Sequence, residues 1–320
     1  MNSQNTTIQK VLEQIGQVIL GKERETEEIM MAFLADGHVL LEDIRGVGKT
    51  TLAMAFSRTM QLDYRRVQFT PDVLPSDLTG FSVYRRDLEK FVYQPGSIFC
   101  NLLLADEINR TSPKTQSALL EVMEERKVTV NGVTRPVPSS FLVIATQNPS
   151  GTAGTQALPD AQMDRFMISL SLGYPDFESE LAMAKSIGEE DRLSVIPPLL
   201  SGGELKSIQE EVCRVYIKEE LYRYLLKLVT ATREHPYIRR GASPRGTIAL
   251  VKMARAVPLV SPEDAARMQE DAMRCCYGAE MPEKKEQEFL YEMYLKTARK
   301  LLETMGGWRR FRFRFLKAFG

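Results

Sequence analysis

Leu102-Leu103-Leu104-Ala105-Asp106-Glu107 sets four small or apolar residues before two adjacent carboxylates. That is the composition of a buried strand delivering acid groups to its tip, and it reads as a Walker B element. Buried strands capped by acids are common in α/β proteins, so the weight comes from what stands upstream. His38-Val39-Leu40-Leu41-Glu42 is a second short apolar run. It leads through Asp43-Ile44-Arg45-Gly46-Val47-Gly48-Lys49-Thr50-Thr51 into the helix-like Leu52-Ala53-Met54-Ala55-Phe56. Strand, glycine turn, Gly-Lys-Thr and helix form the context a phosphate loop requires. The expected fold class is α/β, a parallel-sheet core followed by a smaller all-α domain.

Each residue type in the loop has a physical reason. Gly46 and Gly48 allow a tight turn, so that successive amides from Arg45, Gly46, Val47 and Gly48 through Thr51 point at one anion. The positive end of the following helix reinforces them. Lys49 is placed to reach the β- and γ-phosphates, and the Thr50 hydroxyl to ligate Mg²⁺. Asp106 is the expected second Mg²⁺ ligand, and Glu107 the group that orients or deprotonates the attacking water. One position departs from the motif: the first glycine slot holds Asp43. A carboxylate about 4 Å from a phosphate charge costs roughly 4 kcal/mol at an effective dielectric of 20, so Asp43 is expected to point away from the nucleotide.

A third apolar run, Phe141-Leu142-Val143-Ile144-Ala145-Thr146, ends in Gln147-Asn148-Pro149, which puts a polar amide at a strand tip where it can hold the lytic water. With these runs quoted, a resemblance is plain. LLLADEINR, SPKTQSALLEVMEE, FLVIATQNP and LPDAQMDRF, with GYPDFESE at residues 173–180 and GASPR at residues 241–245, resemble the MoxR family of AAA+ ATPases across roughly residues 18–264. Asp at the first glycine slot is also met in that family; Ile44-Arg45 stands where a Val-Pro pair is more usual.

The resemblance implies an AAA+ core over residues 1–175, a helical lid over residues 176–305, and roles residue by residue. Asn148 resembles the sensor 1 residue. Arg245 resembles sensor 2, which contacts the γ-phosphate from the lid of the same subunit. Arg165 is similar to the arginine finger that enters a neighbouring subunit's site, a role suited to a planar, always-charged guanidinium. Gly21 falls near the expected adenine position. The implied assembly is a homo-oligomeric ring, a hexamer, with ATP and Mg²⁺ as ligands and a protein bearing a von Willebrand factor A domain as partner.

Composition fits this expectation and narrows it. The chain has 320 residues, enough for two domains, and is 43% hydrophobic. Its 42 basic and 42 acidic residues cancel, so no overall field draws it to nucleic acid. No apolar run reaches the ~18 residues needed to span a bilayer, and Met1-Asn2-Ser3-Gln4-Asn5-Thr6-Thr7 is too polar for a signal peptide, so the expected compartment is the cytoplasm. Cys100, Cys213, Cys275 and Cys276 lack metal-ligand spacing and read as packing residues.

Along the chain, residues 8–20 look amphipathic. Val67-Gln68-Phe69 reads as a strand, and residues 70–100 are too long for a simple crossover. Within that insertion Phe81-Ser82-Val83-Tyr84 and Phe91-Val92-Tyr93 read as a hairpin. A second hairpin joins Lys127-Val128-Thr129-Val130 to Val133-Thr134-Arg135 through Asn131-Gly132, a pair that favours a type I′ turn. The resemblance implies that both hairpins project toward the pore of a ring; the plainer alternative is that they cover sheet edges. Ser201 and Ser261 open capped helices, and residues 219–230 carry helical spacing. The tail, residues 306–320, alternates aromatic and basic residues. Three readings stay open for it: an edge strand, a contact with acidic lipid or nucleic acid, or an extension without function.

The expected function is Mg-dependent ATP hydrolysis by a chaperone-like ring that remodels a partner protein. A nucleic-acid motor on the same scaffold, and a nucleotide-gated scaffold with little turnover, are the alternatives.

Overall fold

The computed structural model describes residues 3–43, 46–147, 158–185, 192–194, 196–235, 238, 241–266 and 268. Arg45, Asn148, Cys275, Cys276 and the residue 306–320 tail lie outside them.

Five parallel strands form the central sheet: β1 (Val39–Glu42), β2 (Tyr64–Gln68), β5 (Leu102–Asp106), β8 (Leu142–Gln147) and β9 (Ile168–Leu170), in the order β2-β5-β8-β1-β9. The central strands are apolar on both sides because both faces are covered. Val39, Leu41, Leu102, Leu104, Leu142 and Ile144 pack on one face with α1 (Ser3–Gly16), α2 (Glu23–Leu34) and α3 (Lys49–Thr59). Leu40, Leu103, Ala105, Val143 and Ala145 pack on the other, with α5 (Pro113–Glu125) and α6 (Asp160–Met163). In α1 the buried Ile8, Val11 and Ile15 recur at helical spacing. The helix ends at Gly16, short of the amphipathic stretch expected through residue 20.

Both hairpins are present. In the insertion, the short α4 (Pro75–Thr79) precedes β3 (Phe81–Arg85), which pairs antiparallel with β4 (Lys90–Gln94), Val83 opposite Val92. After α5, β6 (Lys127–Val130) pairs with β7 (Val133–Pro136). Asn131 and Gly132 both adopt positive φ, 53° and 75°, as a type I′ turn demands.

The described chain after Tyr174 carries helices and no strand: α7 (Phe177–Lys185), α8 (Gly202–Arg214), α9 (Glu219–Glu234) and α10 (Pro244–Val260). Ser201 closes a capping box on α8 with Glu204, and the Ser261 hydroxyl reaches Asp264 at the next helical turn. These helices share the core of the first sheet face: Leu205, Ile208 and Val212 of α8, and Ala256 and Val260 of α10, belong to it. The Gln209 amide donates to Phe33 O at 2.8 Å, and the amides of Leu199 and Leu200 donate to Thr59 O. Helix α10 lies against α1 and α2.

Cys100 is buried, which pushes its thiol up to about 12. Cys213 is exposed, so it is not the packing residue expected.

His38, buried just before β1, accepts from the Val143 amide at Nδ1 (3.1 Å), so Nε2 carries the proton and donates to Met123 O (3.2 Å). Burial, with the Arg126 cation adding to it, pushes its pKa down to about 3. An unfolded chain binds this proton below pH 6.5 and the folded one does not, so the imidazole's contribution is complete above 6.5 and is lost as pH falls toward 3. At pH 5 the loss amounts to roughly 2 kcal/mol. Denaturation midpoints at pH 7.5 and pH 5 should therefore differ more for the native chain than for His38→Gln, whose amide can make both bonds without titrating. Equal pH dependence in the two refutes the assignment.

Candidate nucleotide site

Parallel strands bring their C-terminal ends to one edge, and there β5, β8 and β1 stand side by side. The turn after β1 bends through Gly46 (φ 88°) and Gly48 (φ 87°), values in the left-handed region that a side chain disfavours. Gly48 caps α3, whose first turn holds Lys49, Thr50 and Thr51; the amides of that turn lack helical partners and present the positive helix end. Val47 leans on the first-face core. Lys49 Nζ donates to Asp43 O at 2.9 Å, folding the ammonium back over the loop.

Asp43 is 3% exposed and points away from the loop. Its carboxylate accepts from Ser171 Oγ (2.6 Å), Leu172 N (2.7 Å) and Gly173 N (3.0 Å), all just beyond β9. The acid in the glycine slot ties the root of the loop to the chain entering the helical region.

The β5 tip is organised by Thr146 of β8. Its buried hydroxyl donates to Asp106 Oδ1 (2.7 Å) and accepts from the Glu107 amide (2.8 Å). Glu107 adopts a left-handed backbone, φ 57° and ψ 47°, a conformation costing about 1–2 kcal/mol for a residue with a Cβ. The turn breaks the strand's alternation and sends the Glu107 side chain toward β2, where Gln68 Nε2 (3.1 Å) and Arg110 Nη1 (2.7 Å) both donate to Oε2. Asp106 Oδ2 accepts from Arg66 Nη2 at 2.6 Å. Arg66, Gln68, Arg110 and Thr146 were not singled out in the sequence. The signal for two of them was the period-two pattern of a strand running Tyr64–Gln68, longer than the expected Val67-Gln68-Phe69, which puts Arg66 and Gln68 on one face.

Asp106 and Thr50 offer hard oxygen donors of the kind Mg²⁺ takes, and no cluster of three or more ligating acids, histidines or cysteines occurs among the described residues. One carboxylate and one hydroxyl are the protein donors that a cation completed by water and substrate phosphates would need. Gly21, φ 67°, lies against Asp176 and Ser179 at the start of α7, and Lys22 Nζ donates to Tyr174 O at 2.9 Å, so the expected adenine segment meets the entrance to the helical region.

Arg245 is not beside this loop. It opens α10, and Nη2 donates to Glu124 Oε1 at 2.5 Å; Arg165 Nε stands 3.0 Å from Glu124 Oε2. Glu124 lies in the last turn of α5, which runs back from the β5 tip. The neighbouring Arg126 binds Phe141 O before β8 and Asp36 before β1, and Met167, two residues after Arg165, donates to His38 O. The arginine pair therefore lies at the N-terminal edge of the sheet. Strand β8 has six residues, and its five steps of about 3.3 Å put the two edges of the sheet roughly 16 Å apart. The sequence expectation puts Arg245 on the γ-phosphate of its own subunit; in this structure its guanidinium is held by Glu124, where the packing of α10 on α1 and α2 places the N-terminus of α10.

Comparison with known proteins agrees with this architecture. The model of the ATPase family associated with various cellular activities (AAA) matches residues 38–168, from the entry to β1 to the start of β9. The crystal structure of a candidate ATPase from Cytophaga hutchinsonii superposes with a TM-score of 0.76 at 33% identity, over 92% of this chain and 94% of that one. The uncharacterized protein YeaC of Bacillus subtilis is 46% identical over 255 residues, 80% of each chain. Chaperone MoxR1 of Mycobacterium tuberculosis is 37% identical over 84% of this chain and 74% of its own. Identity of 37% and 46% over at least four-fifths of this chain is more than a shared phosphate loop would leave, and the chain belongs to the MoxR family of AAA+ ATPases.

Proposed function

We propose that the chain hydrolyses ATP with Mg²⁺ within a ring of its own copies, a hexamer in the cytoplasm, and uses the cycle to remodel a partner protein. Residues 1–175 act as the nucleotide-binding unit and residues 176–305 as the lid. The observation that carries the reading is the separation just described. A phosphate loop and two acids converge at one edge of the sheet, and two guanidiniums sharing one carboxylate stand at the other. Groups about 16 Å apart cannot meet one phosphate, whereas a head-to-tail neighbour brings the two edges together, and such a contact forms a ring where its rotation closes.

In this mechanism the loop amides and Lys49 hold the triphosphate, while Thr50 and Asp106 hold the cation. When bound, Mg²⁺ neutralises charge on the β- and γ-phosphate oxygens. Thr146 keeps Asp106 aimed. Glu107 leaves Arg110 and Gln68 to orient the attacking water, and Asn148 is assigned to steady it. Arg165 and Arg245 serve the neighbour's γ-phosphate. The exposed Phe81, Tyr84, Leu88 and Phe91 of the first hairpin supply an apolar surface for a client. A von Willebrand factor A domain protein remains the partner the family implies.

The test separates binding from turnover. Lys49→Ala should abolish ATP binding. Glu107→Gln should bind ATP with native affinity and hydrolyse it about 10²- to 10⁴-fold more slowly, and should retain its partner in affinity purification. Equal loss of binding in both variants refutes the assignments. The 2.7 Å Arg110–Glu107 ion pair favours a second reading, a nucleotide-gated scaffold, which tight ATP binding without turnover in the assembled native protein would support.

A further inference from the structure

Glu124 has an assignment that the nucleotide chemistry does not supply. It takes one guanidinium on each carboxylate oxygen, Arg165 from the segment before β9 and Arg245 from the first turn of α10. The two charges that follow it in sequence are engaged elsewhere: Glu125 faces Lys127 at 3.6 Å and Arg126 faces Asp36 at 3.1 Å. One carboxylate between two guanidiniums leaves a net positive cluster. Each guanidinium has five N–H donors in a planar fork, so contact with a single carboxylate oxygen leaves donor capacity for a phosphate. Arg165 Nε is buried and, although close to Glu124, makes no well-aligned hydrogen bond with it; the contact fixes where the fork sits more than it saturates it. With Glu124 partly exposed, the attraction within each pair is weak, too weak to withhold either arginine from a doubly charged phosphate.

We propose that Glu124 is a positioning residue for hydrolysis in trans, holding the arginine of the sheet domain and the arginine of the lid side by side so that both reach the same γ-phosphate of the neighbouring subunit. The inference rests on the trans reading above. It also makes Glu124 the point at which lid position bears on chemistry, because α10 carries Arg245 and a displaced α10 presents one arginine in place of two.

The test uses Glu124→Gln, which keeps the side chain's shape and removes its charge, beside Glu124→Ala. A misplacement near 1 Å costs about 10²-fold, so kcat should fall about 10²-fold while KM for ATP stays within about threefold. Two readouts separate positioning from a general structural role. Added to an Arg165→Ala/Arg245→Ala background, Glu124→Gln should cost nothing further, since groups acting through one another are not additive. Mixed with Glu107→Gln subunits, it should regain activity, because its own Glu107 then meets an intact arginine pair. Native or raised kcat in Glu124→Gln overturns the inference, as does a full additional loss in the double-arginine background. Loss of assembly in Glu124→Gln with assembly intact in the arginine variants overturns it too, since Glu124 is then an interface residue. If Arg165→Ala and Arg245→Ala are themselves fully active, the trans reading falls; if they are impaired and Glu124→Gln is not, only this inference does.

Discussion

Arg165→Ala should lower ATP turnover about 10³- to 10⁵-fold, the range an arginine supplied by a neighbour contributes to phosphoryl transfer, with ATP affinity and fold nearly unchanged. The reason is positional. Arg165 stands at the opposite edge of the sheet from its own Lys49, about a strand length away, so its removal leaves the local phosphate cradle intact. Two measurements check this. Specific activity of the native protein should rise faster than linearly with concentration around the assembly midpoint. Mixing Arg165→Ala with Glu107→Gln, each inactive alone, should restore part of the activity, because at some interfaces an intact Glu107 meets an intact Arg165 across the boundary. A co-assembled mixture as inactive as its parts shows that Arg165 is no simple finger in trans or that every site in the ring must be intact. Full activity of Arg165→Ala alone removes the assignment.

Asp43→Ala should cost stability and spare nucleotide binding, the reverse of what its place in the phosphate-loop motif alone implies. The carboxylate accepts three hydrogen bonds, two of them from the Leu172 and Gly173 amides. Bonds to a charged acceptor contribute about 1.5–3 kcal/mol each, and a buried amide left without an acceptor costs about 1–3 kcal/mol. Ser171 can turn its hydroxyl elsewhere; the amides cannot. The expected loss is about 3 kcal/mol, read as a lower denaturation midpoint, with a smaller loss for Asp43→Asn, which keeps one acceptor oxygen. ATP affinity of the folded protein should change less than tenfold, about 1.4 kcal/mol. A gain of a hundredfold would mean that the carboxylate does repel phosphate and that it turns toward the loop when nucleotide binds.

What the chain alone determined is what its short segments decide locally. The Walker B strand, the Gly-Lys-Thr turn, the Asn131-Gly132 hairpin and the Ser201 cap were all legible, because strand alternation, left-handed glycine and asparagine, and helix capping act within a few residues. Asp43 was harder: charge repulsion said that it must turn away, and only the position of β9 said toward what. The strand register set Gln68 opposite Asp106 and left Arg66, two residues back on the same face, to reach the Asp106 carboxylate, and the left-handed turn at Glu107 sent that side chain to Gln68 and Arg110. The meeting of Glu124, Arg165 and Arg245 joins residues up to 121 positions apart. It depends on α5 running back along the sheet while α10 packs on α1 and α2, and no local pattern encodes that. Short-range chemistry marked the glycine turn and the acidic strand tip of the proposed nucleotide site, and long-range packing decided which side chains stand at that edge of the sheet and which gather around Glu124.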